Sequence, residues 1–173
     1  MTRYPVTIRH YRETDAPEVC EAVRESLSEL MPWMPWCHPQ YSERDAVSWI
    51  RATLDGLATG SLYDFAVFDA DGRYVGGCGV NQIRHAESLA NLGYWVRSSR
   101  TGRGIGSAAV LKVAEWTWQH TALDRLEIVA AVDNLRSQRV AEKVGARYER
   151  IVQQRAVFNG VPCAAALYAL TRN

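Results

Sequence analysis

The chain has 173 residues, which is the usual size of one domain and enough to bury a hydrophobic core without a disulfide or a metal ion. Hydrophobic residues make up 47% and charged residues 23% of the composition, which excludes a disordered or fibrous protein. Since 20 Lys and Arg residues face 19 Asp and Glu residues, no net field favours a nucleic acid or a membrane surface as a partner.

The sequence shows no pattern typical of export, of a membrane span or of a metal site. Its apolar runs are far shorter than a membrane helix, and its first residues lack the apolar core of a signal peptide. The four cysteines have neither CxxC nor zinc-ligand spacing. We therefore expect one cytoplasmic domain over residues 1–173, a monomer or homodimer with free thiols and no bound metal.

The first third of the chain predicts one strand and two helices. Residues 6–11 have the composition of a short strand, and Thr14 or Asp15 is placed to cap a helix. Two prolines keep residues 31–36 from continuing that helix. Residues 42–45 form a capping box, which predicts the start of a second helix.

The middle of the chain predicts three strands that follow one another. Residues 62–68, 74–81 and 89–96 are rich in aromatic and β-branched side chains, and a turn at 69–72 joins the first two. The second strand contains three glycines, which indicate a bulge or the close approach of another backbone.

The rest of the chain predicts helix, strand, helix and hairpin. The loop 102–106 leads into a helix that runs to about residue 119, and residues 126–132 alternate as a strand. Residues 133–134 cap a helix that Gly145 ends. Strands at 148–158 and 161–170 are predicted to turn at Asn159 and Gly160. The whole order predicts an α+β fold with about seven strands in a mixed sheet and about four helices on its faces.

A glycine-rich loop between a predicted strand and a predicted helix is the most informative segment. Residues 100–107 read Arg-Thr-Gly-Arg-Gly-Ile-Gly-Ser. Alternating glycines allow backbone N–H groups to approach a ligand, and the helix N-terminus adds partial positive charge. The loop therefore suits a pyrophosphate, with Arg103 and Arg100 as further cations. A tight turn without a ligand is the alternative.

The loop does not match the common nucleotide-binding patterns. A P-loop requires Gly-Lys-Ser/Thr at its end, which is absent here. The dinucleotide fingerprint requires Gly-x-Gly-x-x-Gly at a first βαβ turn, whereas this chain has Gly-x-Gly-x-Gly after three strands. A P-loop NTPase is excluded, and a nicotinamide or flavin enzyme is disfavoured.

The loop at 102–106 resembles the acyl-CoA loop of the GCN5-related N-acetyltransferase (GNAT) superfamily. Residues 91–96 before it and 134–146 after it resemble the RimJ/RimL-type branch, which contains N-terminal acetyltransferases of ribosomal proteins. Residues 8–16 and the Trp33–Trp36 segment also fit that branch. The resemblance covers nearly the whole chain and implies a GNAT fold with a largely antiparallel sheet.

The resemblance also implies that the chain uses acetyl-CoA and assigns the residues that bind it. The pyrophosphate would lie on the loop amides, and the pantetheine arm would pair with the strand before the loop and touch the helix cap. The residues expected at this site are Trp95, Val96, Arg100, Gly102, Arg103, Gly104, Ile105, Gly106, Ser107 and Asn134.

The candidate catalytic residues are Ser137, Asn91 and Glu87. In the RimJ/RimL pattern the serine faces the thioester sulfur, where it would donate a hydrogen bond to the developing thiolate; its alternative role is helix capping. Asn91 stands where the family often has Glu, so it could orient a water but not take a proton. Glu87 is the reserve base, or a solvated loop residue. The Val96 amide is the expected donor to the thioester carbonyl.

Without a strong base, the site suits an α-amine better than a lysine. An α-amine with a pKa near 7.8 is about one-tenth neutral at pH 7, whereas a lysine near 10.4 is neutral to only a few parts in ten thousand. The expected acceptor is a protein N-terminus of ribosomal type. A small amine such as a polyamine or antibiotic, and a non-catalytic acyl-CoA sensor, are the alternatives. Trp33 and Trp36 would line the acceptor cleft; the alternative is that both side chains are buried and only pack their loop.

Overall fold

The computed structural model describes residues 5–172, which form one seven-stranded sheet with helices on both faces. The strands are β1 Thr7–His10, β2 Tyr63–Phe68, β3 Tyr74–Arg84, β4 Leu89–Val96, β5 Arg125–Ala131, β6 Arg147–Phe158 and β7 Val161–Thr171. The α-helices are α1 Ala16–Glu25, α2 Leu27–Leu30, α3 Glu43–Thr59, α4 Ile105–His120 and α5 Leu135–Lys143.

The strand order is β1-β2-β3-β4-β5-β7-β6. Every neighbouring pair is antiparallel except β4 and β5, which are parallel. The α+β fold with a mixed, largely antiparallel sheet of seven strands is therefore confirmed. Between residues 5 and 172, no helix is both long enough and apolar enough to cross a membrane.

The described residues form five α-helices instead of the expected four, because the first predicted helix is divided at Ser26. The Ser26 hydroxyl donates to Ala22 O at 2.7 Å, one turn back, and accepts from the Ser98 N–H at 2.9 Å. A serine that bonds to the preceding turn bends a helix. The hydrogen bond between Ser98 and Ser26 also attaches the end of α1 to the segment that follows β4.

The capping prediction was correct for α3 and wrong for α1. The Ser42 N–H donates to Asp45 Oδ2 at 2.8 Å, which is the reciprocal half of the predicted capping box. Asp15 lies at the first residue before α1, but its carboxylate makes no cap hydrogen bond to that helix. It accepts instead from the Arg12 N–H and from Arg9, so it closes a 3₁₀ turn that precedes α1.

Two hydrophobic cores lie on opposite faces of the sheet. One packs the sheet against α4 and α5 and includes Leu92 and Ile105. The other packs it against α1 and α3 and includes Val19 and Ile50. All four cysteines are free, as expected, and Cys78 belongs to the first core.

The glycines of β3 allow close approaches, as their positions predicted. Gly76 has a φ of 152°, and a Cβ there would collide with the carbonyl oxygen of Trp95 on β4. A Cβ on Gly79 would collide with the carboxylate of Asp64 on β2. Because Gly79 has no side chain, the Asp64 carboxylate fits above it on the sheet face that α1 and α3 cover.

An ion pair connects α1 to the segment after β4. The Arg97 Nε donates to Glu25 Oε2 at 2.6 Å, and the Ser99 N–H donates to Glu25 Oε1 at 3.0 Å. These bonds lower the pKa of Glu25 from 4.5 to about 2, with the Arg97 hydrogen bond as the largest cause. The charged form of Glu25 therefore stabilises the folded state.

We expect Glu25→Gln to lower the free energy of unfolding at pH 7 by about 1 kcal/mol, since the side chain is 31% exposed and solvent weakens the pair. The difference should be complete above pH 4.5, shrink as pH falls toward 2, and vanish below that pH, where the wild-type carboxylate is protonated too. Urea unfolding at several pH values measures it. Glu18→Gln on the exposed face of α1 is the control; an equal, pH-independent loss in both variants would contradict the assignment.

Candidate active site

The strands β4 and β5 separate at the centre of the sheet. They pair only from Leu89 to Asn91 on β4, opposite Arg125 to Glu127 on β5. Beyond that point β5 continues to pair with β7, while β4 continues to pair with β3. We call the gap between residues 92–96 and 128–131 the β4–β5 split. It leaves one edge of β4 without a strand partner.

The backbone of Val96 presents its N–H group to this split. The Arg97 N–H donates to Val75 O on β3 at 2.8 Å. Because successive N–H groups of a strand point to opposite edges, the Val96 N–H points away from β3 and toward β5. A donor on an unpaired strand edge can bind a carbonyl oxygen, which is the role expected of Val96.

The glycine loop lies at the carboxyl end of the split, where α4 begins. Gly102 and Gly104 have φ values of 75° and 81°, so the loop needs glycine's backbone freedom at both positions. Gly104 is the residue before α4, and no side chain caps this helix terminus. The N–H groups of residues 105–107 therefore have no intrahelical partner and are available to an anion.

Of the two arginines expected to assist the loop in binding a pyrophosphate, Arg100 lies beside an acidic side chain. Its guanidinium lies 3.5 Å from Asp69 Oδ2, and the Asp69 carboxylate is 1% exposed. The Arg100 guanidinium therefore forms an ion pair with Asp69. The role of Arg100 in phosphate binding stays a prediction, with Asp69 as a competing partner for its charge. Arg103 is exposed on the loop and remains the other candidate.

Sequence reasoning missed a second cation beside the loop. Lys143, the last residue of α5, places Nζ 3.8 Å from the position that a Cβ on Gly104 would occupy. Nothing in the local sequence identifies this lysine, because the contact joins residues 39 positions apart (143 minus 104). Its charge adds to that of the α4 N-terminus.

We expect Lys143→Ala to weaken coenzyme A binding about fivefold, since an exposed charge–charge contact contributes about 1 kcal/mol. Calorimetric titration at low salt measures the change, which should diminish at high salt because ions screen exposed charges. Lys112→Ala on the exposed face of α4 is the matched control. Equal affinities for Lys143→Ala and the control would remove Lys143 from the site.

The helix α5 begins on the other side of the split and carries Ser137. Asn134 Oδ1 accepts from the Ser137 N–H at 3.1 Å, so Asn134 caps the helix as predicted. The Tyr94 hydroxyl lies 2.9 Å from Ser137 Oγ and donates to Ser137 O at 2.7 Å. Tyr94 therefore connects β4 to α5 across the split and fixes the position of Ser137. Burial raises the pKa of Tyr94, which keeps its hydroxyl protonated.

A cavity of about 330 Å³ lies between the sheet and the α1 and α3 layer. This is at the small end of the range of ligand pockets. Its floor includes Gly77 and Gly93, and Tyr94 and Trp95 of β4 lie on its wall. The cavity therefore borders the same strand as the split.

The structure separates the two tryptophans that the sequence grouped together. Trp36 lines the cavity, and 40% of it is exposed. Trp33 instead packs against Phe158 at the tip of the β6–β7 hairpin, with ring centroids 4.9 Å apart. The Asn159 N–H also donates to Pro32 O at 2.9 Å. Trp33 thus attaches the hairpin to the segment after α2, and Trp36 of the same segment lines the cavity.

Asn91 and Glu87, the other two candidate catalytic residues, lie outside this cavity. The Asn91 amide donates to Asn81 Oδ1 at 2.9 Å, which orients both side chains. Glu87 is in a short 3₁₀ turn, is 56% exposed and pairs with Arg84 at 3.1 Å. A second, polar cavity of about 340 Å³ includes Asn91 but not Glu87.

A buried carboxylate on β2 is the other residue that sequence reasoning missed. Asp64 lines the cavity, and among the described residues its Oδ2 atom is buried without a hydrogen-bond partner. An Asp inside an otherwise apolar strand was a usable signal, because strands are depleted in Asp. Within residues 5–172, no three His, Cys, Asp or Glu side chains are grouped to hold a metal ion.

Comparison with known proteins agrees with this geometry. The family profile described as "Acetyltransferase (GNAT) domain" matches residues 6–147. YdaF of Bacillus subtilis (strain 168) is 28% identical over 174 residues, which cover 96% of this chain and 91% of YdaF. The ribosomal-protein-serine acetyltransferase of Escherichia coli (strain K12) is 29% identical over 145 residues, covering 83% of this chain and 78% of that protein.

A solved structure extends the likeness to three dimensions. RimJ of Mycobacterium smegmatis, in complex with CoA-disulfide, superposes with a TM-score of 0.85 at 27% identity, over 98% of this chain and 84% of RimJ. The split, the glycine loop and the capped α5 thus occur in a chain whose fold matches that of a CoA-bound relative. The chain belongs to the GNAT family of acetyltransferases and is similar to its RimJ/RimL-like members.

Proposed function

We propose that the protein transfers an acetyl group from acetyl-CoA to the α-amine of a protein N-terminus, by direct attack of the amine in a ternary complex. The observation that carries this proposal is the position of the β4–β5 split. An anion-binding loop lies at its end and an acceptor-sized cavity lies beside it, both along the same strand. A donor and an acceptor bound in these two places would meet at Tyr94 and Trp95.

Acetyl-CoA fits the residues on its side of the split. The uncapped N-terminus of α4, Arg103 and Lys143 would bind the diphosphate, and the unpaired edge of β4 at Val96 would pair with an amide group of the pantetheine arm. The backbone of the neighbouring Trp95 points to β3 by the same alternation. Bound there, acetyl-CoA supplies the acetyl group as a reactive thioester.

The residues of the split suit direct acetyl transfer. The Val96 N–H would polarise the thioester carbonyl. The Ser137 hydroxyl, which donates to the Tyr94 oxygen, would rotate and donate to the sulfur as the thiolate leaves. The C–N bond forms as the C–S bond breaks. Two of the three protons of the ammonium are lost, one to the departing thiolate and one to solvent. A serine hydroxyl is too weak an acid to protonate the thiolate alone, so Ser137 acts as a donor or relay.

The relatives and the chemistry together support a protein N-terminus as the acceptor. One relative is named a ribosomal-protein-serine acetyltransferase. An α-amine is also neutral far more often than a lysine at pH 7. A small amine is the second candidate, because the cavity volume of about 330 Å³ is at the small end of the range of ligand pockets.

Release of free coenzyme A from acetyl-CoA tests the proposal. We expect turnover with peptides that begin with Ser or Ala, and none with the same peptides after N-terminal acetylation. Turnover with polyamines or amino-group antibiotics, and none with peptides, would show that the acceptor is a small amine and would contradict the protein N-terminus as substrate. Tight binding of coenzyme A without transfer to any amine would favour the sensor alternative and contradict the proposal.

A further inference from the structure

Asp64 lies in a row of residues that crosses the sheet toward the split. Asp64 on β2 is paired with Gly79 on β3, and Gly79 is paired with Gly93 on β4. The Asp64 side chain leans over Gly79, since a Cβ on that glycine would collide with Asp64 Oδ1. Neighbouring strands are about 4.8 Å apart, so the carboxylate lies above β3, about one strand spacing from Gly93. The next residue along β4 is Tyr94, which contacts Ser137.

No cation in the described part of the chain neutralises this carboxylate. Oδ2 is buried and has no hydrogen-bond partner among the described residues. His10 contacts only the Asp64 backbone, with Nδ1 3.1 Å from Asp64 O. The other ionisable side chains that line the cavity are Tyr11, His38, Tyr41, Asp45, Tyr74, Cys78 and Tyr94. A buried acidic group without a partner is costly, which suggests a role in binding a ligand.

The lining of the cavity suits a cation and disfavours an anion. No Lys or Arg is among its described lining residues, whereas Asp64 and Asp45 both are. His38 lies 3.8 Å from Asp45, toward the α3 side. The indole rings of Trp36, Trp49 and Trp95 are also on the lining, and aromatic faces attract ammonium groups. Asp64 is the acidic group placed over the glycine floor next to β4.

We propose that Asp64 binds the ammonium of the acceptor in this cavity and takes the proton that the amine must lose before it attacks. The inference rests on the proposed function and deepens it by naming the base. The proton passes from the ammonium nitrogen to the Asp64 carboxylate, which leaves a neutral amine with a free electron pair. After acetyl transfer, the amide nitrogen loses its second proton as the thiolate becomes a thiol. Asp64 then releases its own proton to solvent.

The protonation behaviour of Asp64 suits this role. Burial raises the pKa of Asp64 from 3.8 to about 7, so the carboxyl can hold and release a proton near neutral pH. Burial also raises the pKa values of the Tyr11 and Tyr74 hydroxyls on the same face of the sheet and of the Cys78 thiol on the opposite face, which keeps them neutral. None of these three groups therefore competes with Asp64 for the proton of the amine.

The test compares Asp64→Asn with Asp55→Asn, a matched change on the exposed face of α3. We expect Asp64→Asn to lower kcat/KM for a Ser-initiated peptide by about a hundredfold to ten-thousandfold, the scale of general-base loss. The dissociation constant of acetyl-CoA should stay unchanged by calorimetry. In the wild type, kcat/KM should pass through a maximum between the pKa of Asp64, about 7, and that of the α-amine, near 7.8. In Asp64→Asn it should only rise through the pKa of the amine.

Binding and stability provide readouts that do not require turnover. In the presence of coenzyme A, the wild type should bind the free-amine peptide at least tenfold more tightly than its N-acetylated form, and Asp64→Asn should lose this preference. Asp64→Asn should also raise the melting temperature at pH 8 but not at pH 4, because only at the higher pH does the wild type bury a charge.

Each outcome separates the inference from the proposed function. If Asp64→Asn keeps the wild-type kcat/KM and pH maximum, the inference is overturned while acetylation of peptides stands. If the wild type acetylates no amine, the proposed function fails, and the peptide-binding comparison decides the inference alone. Equal binding of the free and acetylated peptides by the wild type would overturn it.

Discussion

Gly104→Asp is expected to abolish coenzyme A binding, so that a calorimetric titration of the folded variant is flat. The new carboxylate would lie at the uncapped N-terminus of α4, near Lys143 Nζ, where the diphosphate is expected. A like charge about 4 Å from a phosphate costs about 4 kcal/mol at an effective dielectric constant of 20, which corresponds to about a thousandfold in affinity. The lost attraction of the helix N-terminus adds to this effect.

The fold should survive this change, which makes the result interpretable. Asp is a favoured residue before a helix, and it tolerates the φ of 81° at this position better than most side chains. Gly104→Asn is the matched control, since it has nearly the same shape and no charge. It should retain measurable affinity. Wild-type affinity in the folded Asp variant would show that the diphosphate lies elsewhere, and the proposed function would lose its main support.

The elements were predictable from sequence because their signals are local. The Ser42–Asp45 capping box, the Asn134 cap and the Asn159–Gly160 turn all join residues a few positions apart, and all are present. The division of α1 from α2 was missed because it depends on a bond between Ser26 and Ser98, 72 positions away. Periodicity carries no information about such a bond.

The same limit explains which parts of the candidate site were predicted. The glycine loop is defined by its own sequence, so its glycine turns and the start of α4 followed directly. The partners of single side chains did not follow, because they depend on tertiary contacts. Arg100 is bound to Asp69, Lys143 reaches the loop from another helix, and Asp64 depends on a missing side chain at Gly79.

Ser137→Ala is expected to lower kcat by about tenfold to a thousandfold, the range for losing one positioned donor or proton relay. The dissociation constant of coenzyme A should change little, because the backbone contacts of the loop do not involve Ser137. Stopped assays of thiol release, with both substrates saturating, measure kcat. Ser28→Ala on the exposed surface of α2 is the matched control.

The structure makes this result specific to catalysis, because Ser137 takes part in helix capping through its backbone N–H and not through its hydroxyl. Asn134 caps the helix through the Ser137 N–H, which the alanine variant retains. The hydroxyl itself lies 2.9 Å from Tyr94 and makes no capping bond. Loss of turnover with an unchanged melting temperature would therefore assign the Ser137 hydroxyl to the leaving sulfur. Unchanged turnover would leave Ser137 only as a contact of Tyr94, and another group at the split would have to stabilise the leaving thiolate.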